Sequence, residues 1–375
     1  KRGYSVEYFV EGGRSRTGRT LQPRAGMIAM TLNSYLRDQQ KPIAFVPVFF
    51  GYEKVLEGNS YQGELRGKEK KKESVFGLFK SLKNLRRSFG KVSVNFGEPI
   101  FLKDYLEKHE PEWKKDTGTQ DHKPEWFPTI VDKLSTEIVT RINASAAINP
   151  INMASLVLLS TERHAMDANV LANLMTSFSS MLKSMPYSDT MTFAEGDGVS
   201  WIEYAEEMRL VDRLNHPMGD IINLTDHNAV SLTYNRNTIL HFFAVPSLIA
   251  CLLHNNISME KQKVHAIFRD IYPYIKSELF LQWDSHEIDD IFEGWLKVLI
   301  DNKLLLQEGD TIVRPVIGSD QFVQLSILSR FIIQTLERYY ISVAILIQEG
   351  SGQLDASQLE KQSTQMAERM SILFG

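Results

Sequence analysis

The feature that most constrains this chain is an apolar run that ends at a carboxylate and two adjacent glycines, within FVEGGRSRTGR at residues 9–19. The β-branched and aromatic residues 6–10 predict a buried strand. Glycines let the backbone approach an anion at the end of a strand, and arginine side chains match phosphate oxygens two at a time. The pattern suits a small phosphorylated alcohol, with Glu11 accepting from a hydroxyl group. A plain turn with surface arginines is the alternative.

Apolar periodicity predicts an α/β arrangement for residues 1–104. Strands and helices alternate along this part of the chain, so parallel strand pairing is expected. The predicted strands cover residues 6–10, 43–50 and 91–102, and the predicted helices cover residues 25–36 and 74–85.

The composition changes at residues 105–128, which are polar, contain prolines and predict a connector. In residues 129–375 the apolar residues mostly recur at helical spacing. Short strands are expected at residues 229–234 and 312–313, and one long helix at residues 324–348. No internal repeat is visible in the sequence. The predicted fold is an α/β domain, with a mixed or parallel sheet and flanking helices, followed by a mostly α-helical C-terminal domain.

The single cysteine, Cys251, excludes an internal disulfide and suits a reducing compartment. The longest apolar run, residues 239–253, contains a histidine and a proline and is shorter than the roughly 20 residues of a membrane-spanning helix. A buried helix pair is expected there. The first residue is Lys and the chain opens at the approach to a strand, so a fragment of a longer protein is expected.

Residues 9–16, FVEGGRSR, resemble the third motif of the glycerolipid acyltransferases, written F-x-E-G-x-R-S-R. The longer run to Arg19 is similar in particular to the large, membrane-associated bacterial glycerol-3-phosphate acyltransferases. VPVFFGY at residues 46–52 resembles the fourth motif, an apolar strand with an embedded proline. ELRGKEKKKES, VNFGEP and PSLIACLL extend the resemblance over most of the chain.

The resemblance implies an acyltransferase domain over residues 1–104, with glycerol 3-phosphate at the third motif and the acyl donor beside the fourth. Pro47 and Tyr52 are expected on the acyl-donor side. No H-E-x-x-H sequence and no cysteine pair occurs, so neither a metal site nor a cofactor is expected. The expected glycerol 3-phosphate site consists of the motif residues by position, with Arg19 added for its charge: Glu11, Gly12, Arg14, Ser15, Arg16 and Arg19.

The resemblance places the general base of this family in a His-x4-Asp motif before the third motif. The catalytic pair is therefore expected upstream of residue 1, and none is expected within this chain. The one His-x4-Asp present, His265 to Asp270, follows the third motif instead. With 9 His and 19 Asp in 375 residues, about 0.5 such matches are expected by chance, so a single match means little and an amphipathic helix with His265 partly exposed is predicted.

Basic residues concentrate in the first part of the chain. Residues 1–104 carry 20 Lys and Arg against 10 Asp and Glu, and residues 66–91 hold ten of these basic residues. Three interpretations stay open: contact with coenzyme A or an acidic acyl carrier protein, contact with anionic lipid headgroups, and a solvated surface. Nucleic acid is not expected as a partner, because aromatic residues are not interleaved at stacking intervals.

The predicted activity of the intact parent is acyl transfer from acyl-CoA or acyl carrier protein to the sn-1 hydroxyl of glycerol 3-phosphate, giving 1-acyl-sn-glycerol 3-phosphate. The chain alone is expected to be inactive, and the parent is expected at the cytoplasmic face of the bacterial inner membrane. Two alternatives stay open: dihydroxyacetone phosphate as the acceptor, and a non-catalytic module that binds phosphate or membrane.

Overall fold

A computed structural model describes residues 5–13, 15–39, 41–54, 90–117, 123–350 and 352–374. The chain forms two compact units, one of residues 1–242 with 276–288, and one of residues 243–275 with 289–375. The predicted division into residues 1–104, 105–128 and 129–375 stays a prediction. The predicted helix at residues 74–85 and nearly all of the basic stretch at residues 66–91 lie outside the described residues.

The N-terminal part of the first unit has a helical core with short strands beside it. Its elements are α1 (Gly26–Arg37), β1 (Ala44–Phe45), β2 (Val48–Tyr52), β3 (Val92–Phe96), β4 (Ile100–Phe101), α2 (Leu102–His109) and α3 (Phe127–Ala144).

Helix α1 forms because its apolar residues recur at helical spacing and meet a common core. Ile28, Leu32, Tyr35 and Leu36 lie on one face and are buried. They belong to a cluster that also contains apolar residues of β1, β4, α2 and α3. Burying such side chains stabilises a fold by about 1.5–3 kcal/mol each, so this stripe fixes α1 against its neighbours.

The strands described within residues 1–104 pair antiparallel, whereas the sequence predicts parallel pairing there. β1 pairs with β4 and β2 pairs with β3, both antiparallel. The predicted strand at residues 6–10 is not observed: Val6 is 74% exposed, Phe9 is 75% exposed, and only Val10 is buried. Apolar composition favours a strand only where a neighbouring strand can pair with it, and none does so among the described residues.

Helices dominate the rest of the chain. The elements up to residue 239 are β5 (Ala147–Ile148), α4 (Pro150–Leu158), β6 (Ala165–Asp167), α5 (Ala168–Ser184), β7 (Thr192–Phe193), α6 (Gly198–Glu207), β8 (Asp212–Leu214), β9 (Ile221–Asn223) and α7 (Asp226–Ile239). Those that follow are α8 (Ala244–His254), β10 (Ser258–Glu260), α9 (Lys261–Leu279), α10 (Ile288–Asp301), β11 (Leu306–Glu308), β12 (Thr311–Val313), α11 (Asp320–Arg330), α12 (Ile333–Glu349) and α13 (Ala356–Phe374).

Two consecutive stretches have the same order of elements, which we call the first repeat (residues 150–239) and the second repeat (residues 244–330). Apart from β7, each runs helix, strand, helix, helix, strand, strand, helix. Strand β7 lies between the second and third helices of the first repeat and pairs with β5 outside it. In each, the three strands form an antiparallel sheet with the last strand in the middle, ordered β6-β9-β8 and β10-β12-β11. In each, the first helix packs against the last, α4 on α7 and α8 on α11.

Backbone hydrogen bonds recur at matching places in the two repeats. The N–H of Ala168 donates to the Asp220 carbonyl at 2.8 Å, as that of Lys261 does to Asp310 at 2.8 Å. The N–H of Leu224 donates to the His164 backbone carbonyl at 2.9 Å, and the N–H of Arg314 donates to the Ile257 carbonyl at 3.0 Å. The matching bonds show a structural duplication, contrary to the sequence reading in which no repeat was visible.

Two elements predicted from the sequence differ from the observed ones. Residues 229–234, predicted as a strand, lie in helix α7, which packs against α4. The long helix predicted at residues 324–348 is two helices, α11 and α12, with a break at Phe331 and Ile332. The strand predicted at residues 312–313 is confirmed by β12.

One helical stretch in the described part of the chain, Ser231–His254, is long and apolar enough to cross a membrane. Of its most apolar window, 78% is buried inside the protein. A buried core helix passes the same test of length and composition, so this stretch is weak evidence for a membrane span.

One backbone feature of the duplication leads to a stability prediction. After their third helix, the two repeats hold Arg209 at φ 56° and Lys303 at φ 59°, a left-handed conformation that costs a non-glycine residue about 1 kcal/mol. We expect Arg209→Gly and Lys303→Gly each to leave the free energy of unfolding unchanged or raise it by up to about 1 kcal/mol, measured by urea denaturation.

The control is Glu203→Gly, which places glycine at an exposed position inside helix α6. Its expected effect is a loss of about 1 kcal/mol. If the three substitutions destabilised the protein equally, the left-handed turns would not carry the strain assigned to them.

Candidate functional site

The predicted phosphate-binding run begins as a tight turn after Val10. The Gly12 N–H donates to the Phe9 carbonyl at 3.0 Å, and the Arg24 N–H donates to the Val10 carbonyl at 2.7 Å. Gly12 has φ +64°, and a Cβ atom there would lie 2.6 Å from Cγ of Arg24. Both the conformation and the space therefore require glycine at Gly12, while Gly13 has nothing within 4 Å of a Cβ position.

Glu11 lies half-buried within this turn. Burial raises the pKa of its carboxyl above the ordinary value, and a hydrogen bond with the Leu21 backbone opposes part of that shift. A partly desolvated carboxyl group binds a ligand hydroxyl more strongly than one in open water does. Its role as the hydroxyl acceptor stays a prediction.

The other predicted phosphate ligands are in different surroundings. Arg14 lies outside the described residues. Ser15 is half-buried, and its Oγ has no hydrogen-bond partner among the described residues. Arg16 is exposed to solvent. Arg19, assigned from charge alone, has Nη1 3.5 Å from Oε1 of Glu278, so a ligand phosphate would compete with a carboxylate for it.

Residues 17–20, the last part of the run, rest on later helices of the same unit. Asn237 Nδ2 donates to the Thr17 carbonyl at 2.7 Å. Gly18 has φ +75°, and a Cβ there would lie 2.2 Å from the Tyr234 carbonyl oxygen. Thr20 Oγ1 donates to Oδ1 of Asn143 at 2.8 Å. Helices α7 and α3 thus fix the backbone that follows the candidate ligands.

Asn143 is buried and connects this segment to the interior. Its Nδ2 donates to the Leu279 carbonyl at 3.0 Å, and its own carbonyl lies 2.9 Å from Nε2 of His241. Burial lowers the pKa of His241 to about 4, against a smaller opposing effect of its bond to Asn143. The imidazole is therefore neutral at physiological pH. Sequence reasoning did not identify Asn143 or Asn237, and polar residues inside apolar helical periods were the only available signal.

The fourth-motif residues lie on and beside strand β2. Pro47 is buried and its carbonyl accepts from the Gly97 N–H at 2.8 Å. Tyr52 is 45% exposed. On the same face of the β2–β3 ribbon, cross-strand neighbours pair Phe50 with Val94 and Val48 with Phe96. This face is apolar and exposed, whereas the opposite face turns toward the helices.

Glu53 follows the strand and is 3% exposed. Its Oε2 accepts from the Tyr204 hydroxyl at 2.6 Å and from the Lys91 N–H at 2.5 Å. Lys54 Nζ donates to the Met208 carbonyl at 3.0 Å. Hydrogen bonds therefore connect the end of the fourth-motif strand to the start of β3 and to helix α6, a connection that no sequence pattern indicates.

The chance His-x4-Asp match does not form a pair. His265 Nε2 lies 2.9 Å from Oδ1 of Asp289, on the next helix, and its side chain is 28% exposed. Among the described residues, one group of side chains lies close enough to share a metal ion, the exposed Asp284, His286 and Glu287. Asp284 already pairs with Lys276, and exposed acidic groups of this kind are common without a metal.

Comparison with known proteins decides the family. The model of the glycerol-3-phosphate acyltransferase C-terminal region matches residues 61–375. The chain belongs to this family. The family that the motif resemblance predicts is therefore confirmed.

Named relatives of this family agree with that result. The chain is 46% identical over 374 residues to glycerol-3-phosphate acyltransferases of Pseudomonas aeruginosa strains LESB58 and UCBPP-PA14, and 44% identical over 374 residues to that of Ectopseudomonas mendocina strain ymp. Each alignment covers 100% of this chain and 45% of the relative. The chain thus spans about half the length of the relatives that it matches, and both repeats lie inside the region that the family model covers.

The two glycines of the third motif provide a matched test of the turn. We expect Gly12→Ala to lower the free energy of unfolding by about 1–2 kcal/mol, because a left-handed conformation and the Arg24 side chain both oppose a methyl group. Gly13→Ala should change it by less than about 0.5 kcal/mol. Urea denaturation of the two variants measures both values, and equal losses would contradict the described turn.

Proposed function

We propose that the protein transfers a fatty acyl group to glycerol 3-phosphate, and that this chain supplies the acceptor site and the helical C-terminal part. The observation that carries the proposal is the 374-residue alignment with proteins named glycerol-3-phosphate acyltransferase. It includes residues 9–16 and 46–52, which precede the region matched by the family model.

The proposed acceptor side is the turn at Gly12 and the residues that follow it. The exposed backbone at Gly13, the Ser15 hydroxyl, which has no partner among the described residues, and the Arg16 guanidinium lie within four consecutive positions, while the Gly12 N–H is already bonded to Phe9. Backbone N–H groups, a hydroxyl and an arginine are the groups that bind phosphate oxygens in proteins. Glu11, with its raised pKa, is the acceptor for a glycerol hydroxyl. Arg14 joins them on the motif resemblance alone.

The proposed acyl-donor side is the face of the β2–β3 ribbon that carries Tyr52. Phe50, Val94 and Phe96 share that face and are between 42% and 65% exposed, without a charged residue between them. An uncharged surface of this kind suits an alkyl chain. The proposed donor is acyl-CoA or acyl carrier protein, and the proposed acceptor atom is the sn-1 hydroxyl.

The chemical step needs a base for that hydroxyl, which the family resemblance places in the part of the relatives that this chain does not match. In the proposed mechanism a histidine there removes the proton, the substrate oxygen attacks the thioester carbonyl, and the thiol leaves. The residues of this chain bind and orient the acceptor, and orientation can contribute several kcal/mol to lowering a barrier. The proposed location is the cytoplasmic face of the inner membrane, where the apolar product would enter the bilayer.

Two substitutions test the acceptor site in the full-length protein. We expect Arg14→Gln and Arg16→Gln each to raise KM for glycerol 3-phosphate about tenfold or more, with KM for the acyl donor changed less than about twofold, because a charge-assisted hydrogen bond contributes roughly 1.5–3 kcal/mol. Steady-state kinetics with each substrate varied in turn measures both constants.

The matched control is Arg163→Gln, an exposed arginine outside the motif. Its kinetic constants should equal those of the wild type. An equal rise in both KM values in the motif variants would contradict the assigned role, and dihydroxyacetone phosphate as the better acceptor would replace the proposed substrate.

A further inference from the structure

The two repeats can be compared residue by residue along their third helices. Trp201 in α6 and Trp295 in α10 are both 2% exposed, and the same number of residues separates them from the left-handed Arg209 and Lys303. The N–H of the next residue donates back into the helix in both, Leu210 to Ala205 and Leu304 to Leu299. This register aligns Tyr204 with Val298, and Met208 with Asn302.

These aligned positions differ where the first repeat contacts the fourth-motif strand. The Tyr204 hydroxyl donates a hydrogen bond to Glu53. Met208 is 3% exposed and lies against Gly90, where a Cβ atom would be 2.8 Å from its Cε. In the second repeat, Val298 has no hydroxyl group. Asn302 is exposed and donates to a carbonyl of its own helix. The shared fold therefore does not require Tyr204 or Met208.

The last helices give a second, independent difference. Thr225 caps α7 and Ser319 caps α11 through the same side-chain bond, which aligns Asn237 with Phe331. Asn237 donates to Thr17 in the third-motif run, whereas Phe331 is 3% exposed and packs its ring 5.3 Å from that of Phe243. An amide donor at this position is therefore also particular to the first repeat.

We propose that the first repeat is the scaffold that positions both substrate-side segments, and that Asn237 and Tyr204 are its positioning residues. Asn237 holds residues 17–20 behind the acceptor ligands, and Tyr204 holds Glu53 at the end of the strand that carries the donor-side residues. The second repeat has the same architecture without these two groups. The assignment to acceptor and donor rests on the proposed function.

The test uses two substitutions in the full-length protein. Asn237→Leu removes the amide donor to Thr17 at similar volume, together with the acceptor of the Arg236 guanidinium, and Tyr204→Phe removes only the hydroxyl group. We expect Asn237→Leu to raise KM for glycerol 3-phosphate about fivefold with KM for the acyl donor within twofold, and Tyr204→Phe to give the reverse pattern, because a lost hydrogen bond changes binding by about 1 kcal/mol.

The matched control is Asn228→Leu in the same helix as Asn237. Asn228 Nδ2 donates to the Leu210 carbonyl at 3.1 Å, so this substitution removes a comparable bond within the repeat and none to the two segments. Its thermal stability should fall as much as that of Asn237→Leu, and its two KM values should stay at the wild-type values.

Hydrogen exchange gives a readout that does not depend on activity. Asn237→Leu should speed amide exchange in a peptide covering residues 15–20, and Tyr204→Phe in one covering residues 48–54, while Asn228→Leu changes neither. Unchanged exchange in both peptides, or the same kinetic losses in the control, would overturn the scaffold. Faster exchange at the expected peptides in a protein that does not acylate glycerol 3-phosphate would retain the scaffold and refute the proposed function.

Discussion

The buried carboxylate of Glu53 is the interaction on which the placement of the donor-side strand depends. Removing a carboxylate from water costs several kcal/mol unless hydrogen bonds replace the lost water. Here the Tyr204 hydroxyl and the Lys91 N–H supply them, and Gly90, at φ +71°, comes so close that a Cβ would lie 2.6 Å from Oε2. The end of β2 is thus set by directional polar contacts, while its outer face stays apolar and open.

The acceptor-side segment is fixed in the same manner by other residues. Thr17 and Thr20 each meet a helical asparagine, Asn237 and Asn143, and Asn143 is held in turn by its contacts with Leu279 and His241. Such contacts are directional, so they fix the path of a loop more narrowly than apolar packing does. Tyr204 and Asn237 of the first repeat therefore each hold one motif segment, and Asn143 of α3 adds a further anchor on the acceptor side.

The duplication explains how the helical part can be well folded and yet carry no chemistry recognisable in its sequence. Both repeats keep the elements that make the unit fold: the buried tryptophan, the left-handed residue after the third helix, and the capped last helix. They differ at positions where side chains of the first repeat reach segments outside it. A shared architecture with different surfaces is the usual relation between fold and function.

The sequence by itself determined the family motifs, the composition of the candidate site and most helices, since the stripe of Ile28, Leu32 and Leu36 is a local signal. The tertiary structure alone decided the antiparallel pairing of β2 with β3, the absence of a strand at residues 6–10 and the duplication. It also decided the anchors, because Thr20 and Asn143 lie 123 positions apart, and Thr17 and Asn237 lie 220 apart. Periodicity reports which face of an element is apolar, but a hydrogen bond between distant residues depends on how the whole chain packs, which no local pattern records.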